Sequence, residues 1–363
     1  MLFKLDRRTE PSRLMLVAAP LVAVILSILA SSVLLFLIDK PVGLTLHSFF
    51  IAPFENFYSI TEVFLKFGPL LLIAQALAVG FRAKVWNIGA EGQMIIGAIA
   101  ASSVPVYFTD STSFWMLPAM VVLGALGGMA WAAIAAFLKT RFNANEILVT
   151  LMLTSIALQL LYFLLLGPWK DPMGFNFPQT VMFQNEALFP PLFQGVRLNA
   201  SIFIPILFTI AIWFFMERHF GGFKLVVGGL APQAAAYTGF NAKRSVWVSL
   251  LLAGFAAGIA GMSEVAGPIG QLQRSVTSGY GYAGIIVAYL GALNPIGITF
   301  AAFFLAVLQI GSDIALVWAN LPISAVHVFQ GMLLIFYLSV SVLVNYRIRS
   351  VRTPPLASGG NAS

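Results

Sequence analysis

Glu217 to Arg244, ERHFGGFKLVVGGLAPQAAAYTGFNAKR, lies between two apolar runs and is too long and too polar for a tight turn. It carries Arg218, Lys224, Lys243 and Arg244, and the excess of Lys and Arg in cytoplasmic loops predicts that side of a membrane for it. Within it, Ala231 to Tyr237 is a helix-forming patch opened by Pro232, where a first-turn proline is tolerated. Gly228–Gly229 before the patch and Gly239 after it are predicted breaks. A small helix held between glycines on the cytoplasmic face reads as a docking element.

Composition sets the class. The chain has 363 residues, 60% hydrophobic and only 9% charged, against about 25% charged in soluble domains. Water cannot hide that much apolar surface, so an all-α polytopic membrane protein is expected. The net charge of +7 is read as basic residues gathered at cytoplasmic helix ends, and no nucleic-acid partner is expected. With no cysteine, disulfides and thiolate metal sites are excluded.

Outward from the opening stretch, about ten transmembrane helices are predicted, with both termini cytoplasmic. Residues 1–13 form a short basic cytoplasmic segment, 14–345 the membrane domain and 346–363 a cytoplasmic tail whose end, Pro354 to Ser363, reads as disordered. Leu14 to Ile38 is 25 residues without a charge, longer than the roughly 7–15 apolar residues of a signal-peptide core, so it stays as a first span. Asp39 to Ile60 is an external loop. The later spans are Glu62–Phe81 (bent at Gly68–Pro69), a third ending near Phe108, Phe114–Leu138, Glu146–Gly167, Ala200–Met216, Ser245–Glu264, Tyr280–Leu293, Gly297–Asp313 and Ser324–Asn345. Tyr280–Leu293 is short of the roughly 20 residues a span needs, and Gly267–Ser278 before it reads as external or re-entrant. Residues 168–199, with five prolines, form the longest external loop and read as an ordered cap or short interfacial helix, and 217–244 form the cytoplasmic coupling loop. This topology puts fifteen of the 20 lysines and arginines on the cytoplasmic side.

Most motifs point to packing. Gly124 and Gly128 form a GxxxG pair that permits close backbone approach. Gly279-Tyr-Gly281-Tyr-Ala-Gly284 matches GxGxxG, but the strand that a dinucleotide site needs before it is missing, so these glycines are assigned to a broken helix near a cavity. There is no GxxxxGK[ST], GxSxG or HExxH, so no ATP hydrolysis by a P-loop and no catalytic constellation is expected. His47, His219 and His327 lack metal-ligand spacing, and no metal is expected.

Four acids lie near membrane depth: Glu91, Glu146, Glu264 and Asp313. An ionisable group in a span is a site hypothesis by default. Asn87, Glu91 and Gln93 cluster among glycines where loosened backbone offers hydrogen bonds to a polar solute; alternatively Glu91 caps a helix and pairs with Arg82 or Lys84. Glu146 follows Asn143 and Asn145 at a helix start and reads as a capping acid. Glu264 is a candidate for the solute path or its gate, and Asp313 a candidate partner of Arg274.

Two stretches then carry a resemblance. Trp86-Asn-Ile-Gly-Ala-Glu-Gly-Gln-Met94 resembles a segment of the permeases of bacterial ABC importers for nucleosides and simple sugars. Gly228-Gly-Leu-Ala-Pro-Gln-Ala-Ala-Ala-Tyr-Thr-Gly-Phe240 resembles the same family's cytoplasmic loop, G-x-N-P-x-A-A-x-Y-x-G, with Ala231 in place of the asparagine. Gly279 to Gly297 is also family-like, and the likeness covers roughly residues 60–345. The resemblance implies a permease of the branched-chain amino acid/ribose superfamily in the bacterial inner membrane, with two similar halves around its pore, although no internal repeat is visible in the letters. It implies a homo- or heterodimer with a second permease, two cytoplasmic ATPase subunits that bind the ATP, and a periplasmic or lipoprotein solute-binding protein. The ATPase-coupling positions are then Gly228, Pro232, Ala234, Ala235, Tyr237 and Gly239, and the substrate path runs by Asn87, Glu91, Gln93 and Glu264. Nucleosides are the expected cargo, with simple sugars or branched-chain amino acids as alternatives. The rival class is an ion-coupled secondary transporter using Glu91 and Glu264.

Overall fold

A computed structural model describes residues 2–7, 13–109, 111–237 and 239–351. Its elements are β1 (Leu2–Arg7), α1 (Arg13–Leu37), α2 (Val42–Phe50), α3 (Phe57–Arg82), α4 (Ala90–Tyr107), α5 (Met116–Phe142), α6 (Glu146–Leu166), α7 (Phe203–Glu217), α8 (Phe220–Leu230), α9 (Pro232–Tyr237), α10 (Ala242–Glu264), α11 (Tyr280–Leu290), α12 (Pro295–Trp318), α13 (Ile323–Asn345) and β2 (Tyr346–Val351). Every predicted span coincides with a helix. Among the described residues, six helical stretches are long and apolar enough to cross a membrane: α3, α5, α6, Ala200–Glu217, Ala242–Ile269 and α12. The protein is a multi-pass membrane protein.

The chain divides into two compact units, residues 1–40 with 324–363, and residues 41–323. In the first, Ser31 Oγ of α1 lies 3.8 Å from Met332 Sδ of α13. Here the all-α expectation is corrected. The terminal segments pair as an antiparallel ribbon, Leu2 opposite Val351 through Arg7 opposite Tyr346. Tyr346-Arg-Ile-Arg alternates apolar and charged residues with the period of a strand, a pattern hidden when those arginines are counted only as charges. Pro354–Ser363 lies outside the described residues.

In the second unit α3 is the central element. Its residues are buried almost throughout, the mark of a helix apolar all round with neighbours on every side. Asn56 caps it, accepting the Ser59 N–H at 2.8 Å, and it continues through Pro69. By contrast α5, α6 and α7 expose Leu126, Phe137, Met152, Phe163, Leu207 and Phe214, side chains that suit lipid. The tightest packing joins α4, α5 and α10. A β-carbon added at Gly128 would meet the Gly254 carbonyl, and one at Gly97 would meet the Gly258 backbone. The predicted GxxxG pair is thus one side of a three-helix seam where backbones touch.

One loop expectation changes and one holds. Residues 39–60 hold α2, whose Thr45, Ser48 and Phe49 are buried on one face at helical spacing and which packs on α12 beside Gly311. Residues 168–199 carry only isolated turns but are strapped down: Thr180 N–H donates to Leu272 O (3.0 Å), Phe183 N–H to Gly270 O (2.8 Å) and Phe189 N–H to Ala266 O (2.8 Å). The long loop is an ordered cover over residues 266–272.

Candidate functional site

The stretch 217–244 has two helices where one was predicted. Gly228–Gly229 does not break the chain; both belong to the last turn of α8, and the break falls at Ala231 (φ −140°, ψ 71°). The reason is contact: Gly229 abuts the Ala83 backbone, and a β-carbon at Gly228 would lie 3.2 Å from Ser245 Oγ. These glycines serve close approach rather than freedom. The backbone of Pro232, Ala234, Ala235 and Tyr237 then forms α9 as expected; the side chains of Pro232 and Ala234 lie outside the described set. Ala235 is 1% exposed and Tyr237 95%, so the helix is anchored on one face and bare on the other. Phe240 N–H closes it on Ala235 O (2.8 Å), with Gly239 at φ +78°.

The second region lies around Glu91. The chain leaves α3, passes through 85–89 without helix, and starts α4 at Ala90. Asn87 and Gln93 pair amide to amide: Asn87 Nδ2 donates to Gln93 Oε1 (3.0 Å) and Gln93 Nε2 to Asn87 Oδ1 (3.3 Å), which also accepts Gly89 N–H (2.9 Å). Ile88 N–H donates to Thr150 Oγ1 at 3.2 Å. Glu91 reaches elsewhere. Its Oε1 accepts Gly279 N–H (2.9 Å) and its Oε2 accepts Gly281 N–H (2.6 Å). These are first-turn amides of α11, which no intrahelical partner satisfies, and a carboxylate there also meets the positive end of the helix dipole. A β-carbon at Gly281 would strike Glu91 N, so the GxGxxG-like motif lets α11 approach α4 backbone to backbone. The partners of Glu91 are therefore not Arg82, which lies 3.3 Å from Glu217, nor Lys84.

At 11 residues, or about 16 Å at 1.5 Å per residue, α11 is a half-helix. The extended segment 85–89 and the segment before Tyr280 bring two helix N-termini together inside the fold. Beside them lies an aromatic stack: Phe81 is 5.2 Å from both Trp86 and Tyr289, ring to ring, and Trp86 and Tyr289 are 6.1 Å apart at 17°.

Glu264 stands at the end of α10, buried, where the helix widens through Val265–Ile269. It faces the Tyr280 hydroxyl without a hydrogen bond of ordinary length. The cations whose charge it feels are Lys66 and Arg197, and Lys66 Nζ lies 5.4 Å from the Tyr280 ring centre. Glu62 of α3 is paired with Arg197 through both oxygens, at 3.0 Å to Nε and also to Nη2, which holds the guanidinium still more firmly protonated. Asp313 lines a cleft of about 330 Å³ with Glu62 and Arg197. Arg274 is not its partner; that guanidinium lies 5.0 Å from the Tyr162 ring centre and its Nε donates to Tyr162 Oη (3.0 Å). Glu146 sits in the first turn of α6 and pairs with Lys139 at 2.9 Å, while Asn145 makes the cap.

The family described as "Branched-chain amino acid transport system / permease component" matches residues 59–338. The chain belongs to that family. The permease is 30% identical to a glucose ABC transporter permease of Haloferax volcanii, over 86% of each chain. It is 28% identical to a guanosine ABC transporter permease of Bacillus subtilis, over 96% of this chain and 99% of that one. A nucleoside ABC transporter permease of Lactococcus lactis subsp. cremoris is 27% identical over 90% and 92%.

The structure thus joins two of the stretches that carried the resemblance, 86–94 and 279–297, through Glu91. Residue-by-residue reading passed over Lys66, the Glu62–Arg197 pair and the Phe81/Trp86/Tyr289 stack. For Lys66 the signal was present: a lysine one turn after Glu62 inside a 26-residue apolar helix is costly in lipid and therefore placed for a partner.

Proposed function

We propose that this permease is the conduit of an ABC importer for nucleosides in the bacterial inner membrane, moved by separate ATPase subunits that bind the ATP. The observation that carries the reading is α9: a six-residue helix, anchored at Ala235 and bare at Tyr237, in a loop whose basic residues favour the cytoplasm. The terminal ribbon pairs residues 2–7 with 346–351, which agrees with an even number of crossings such as ten. Arg82–Glu217 and Lys139–Glu146 join segments assigned to the cytoplasmic side. Glu62–Arg197 and Gln179–Gln273 join segments assigned to the outside.

The motion has a physical route. The ATPase dimer closes and displaces α9; α8 follows, and its Gly229 bears on Ala83 at the head of the 85–89 segment. Eight residues beyond Ala83, Glu91 holds the N-terminus of α11, so displacement of the loop reaches the half-helix through the backbone. Spans α7 and α10, which pack on α8, move with it. Alternating access results when nucleotide binds one arrangement better than the other.

For cargo, the positive end of α11 is already matched by Glu91, which leaves the path suited to neutral polar solutes rather than anions. Asn87 and Gln93 supply amide edges, the Phe81/Trp86/Tyr289 stack supplies planar faces for a base, and Glu264 lines the outer part of the path. The similarity to permeases named for guanosine and nucleosides agrees. A second permease subunit completes the pore, and a solute-binding protein delivers cargo to the 168–199 loop. The ion-coupled alternative has less support, since both Glu91 oxygens accept backbone N–H groups. The test is uptake of labelled nucleoside by cells lacking the partner ATPase. Loss of uptake in those cells, with persistence after collapse of the ion gradient when the ATPase is present, is expected; the reverse pattern would reject the reading.

A further inference from the structure

A groove of about 420 Å³ opens between the ends of α7 and α10 and the flank of α8. Its working residues are Phe215, His219, Phe220, Lys224, Phe240 and Arg244. We propose that it binds the phosphate headgroup of an anionic phospholipid of the leaflet facing the coupling loop. This inference rests on the chain being membrane-embedded and is independent of cargo.

Charge is the first argument. Lys224 and Arg244 are exposed, and neither belongs to any ion pair among the described residues. Glu217, the acid at the neighbouring end of α7, lies 3.3 Å from Arg82 instead. Lys224 Nζ lies 4.6 Å from the Phe220 ring centre and 5.3 Å from that of Phe240, which draws its ammonium to the groove wall. His219 Nδ1 accepts Gly221 N–H at 3.0 Å, which leaves the proton of a neutral ring on Nε2 as a third donor.

Surroundings are the second argument, and they favour lipid over a protein partner. The helix leading into the groove, Ala200–Glu217, has fewer than a fifth of its residues buried and presents Leu207, Ile210 and Phe214 outward. At its end Arg218 lies 5.8 Å from the Trp213 ring centre, and Phe220 and Phe223 are about 60% exposed on α8. Aromatic rings interleaved with cations where an apolar helix ends mark the headgroup level of a bilayer, and basic pockets there bind anionic headgroups. Gly239 and Phe240, just past α9, form part of the wall, so an occupied groove would brace the root of the coupling helix.

The full-length permease, purified in neutral detergent, is titrated with phosphatidylglycerol, with phosphatidylcholine and with inorganic phosphate, and read by bound lipid in native mass spectrometry and by thermal shift. Phosphatidylglycerol is expected to stay bound and raise the melting temperature, and phosphatidylcholine to do neither. The double variant Lys224→Gln/Arg244→Gln should lose about tenfold or more in apparent affinity, while Lys224→Arg/Arg244→Lys, which keeps both charges, should retain it. Equal binding of the two lipids, or full binding by the glutamine variant, would overturn the proposal. So would stabilisation by inorganic phosphate matching that of the lipid, which would make this a free-phosphate site. If the glutamine variant binds phosphatidylglycerol normally but no longer co-purifies with the ATPase, the groove belongs to the motor and the lipid assignment fails.

Discussion

The α4–α11 junction and the α8–α9 segment are both built on glycine and short helices, yet their surfaces are opposite. At the junction Asn87 and Gln93 satisfy each other, and both oxygens of Glu91 are taken by amides of another helix. At α9 one face is fixed and the other shows Tyr237 almost wholly to solvent. On the proposed reading, the junction passes movement on and turns its amide edges to cargo only when it rearranges, while the bare face of α9 is the contact for the ATPase. Connecting them is the Gly229–Ala83 backbone approach.

Four substitutions break or sharpen that contrast. The largest effect is expected from Gly258→Leu. Its β-carbon would meet the Gly124 carbonyl, and overpacking a backbone contact in the α4–α5–α10 seam should cost about 3 kcal/mol or more. The readout is membrane abundance of folded permease, which should nearly vanish; normal abundance would mean the seam is looser than described. Next comes Tyr237→Asp. A central aromatic lost from an interface costs about 2 kcal/mol, roughly thirtyfold in affinity, so ATPase co-purification and uptake should fall together while abundance stays at wild-type level. Unchanged co-purification would remove α9 from the contact.

Glu91→Gln keeps the shape but removes the charge from two hydrogen bonds, at a cost of about 1.5–3 kcal/mol. If Glu91 holds α11 in place, abundance and melting temperature drop in step with uptake. A variant with full abundance and stability but poor uptake would instead place the carboxylate in direct contact with cargo. Arg197→Ala is the mildest. The guanidinium is half exposed while Glu62 is buried; water in the cleft that both line replaces part of what Glu62 loses, which puts the cost at the low end of about 1–3 kcal/mol. A small fall in melting temperature with uptake nearly intact is the predicted result, and a large uptake defect would make the pair part of the external gate.

The sequence was legible where single-residue chemistry decides structure. Ten apolar runs became helices because lipid-facing spans need only length and hydropathy, and Pro232 and Gly239 bounded α9 through backbone preferences that act locally. Gly124 and Gly128 announced close packing correctly. What was hidden depended on a partner far along the chain. Glu91 reads either as a solute ligand or as a cap paired with Arg82 or Lys84, and which helix it holds is hidden until Gly279 and Gly281, 188 and 190 residues away, are seen to donate to it. Gly228–Gly229 reads as a break until Ala83 is seen to need the space. Asp313 was matched with Arg274 on charge alone, and the tyrosine that holds Arg274 carries no charge to suggest it. The ribbon was missed because its alternation lies in arginine-rich ends already explained by topology.

The permease has no cysteine, so a single Tyr237→Cys substitution gives a unique thiol on the exposed face of α9. The most direct measurement is site-specific crosslinking at that thiol in membranes containing the partner ATPase, with labelling by a membrane-impermeant maleimide from either side. The account predicts a crosslink to the ATPase that changes in yield between nucleotide-free and ATP-bound states, with maleimide access only from the cytoplasm. Labelling from the outside, or no crosslink in any nucleotide state, would contradict it.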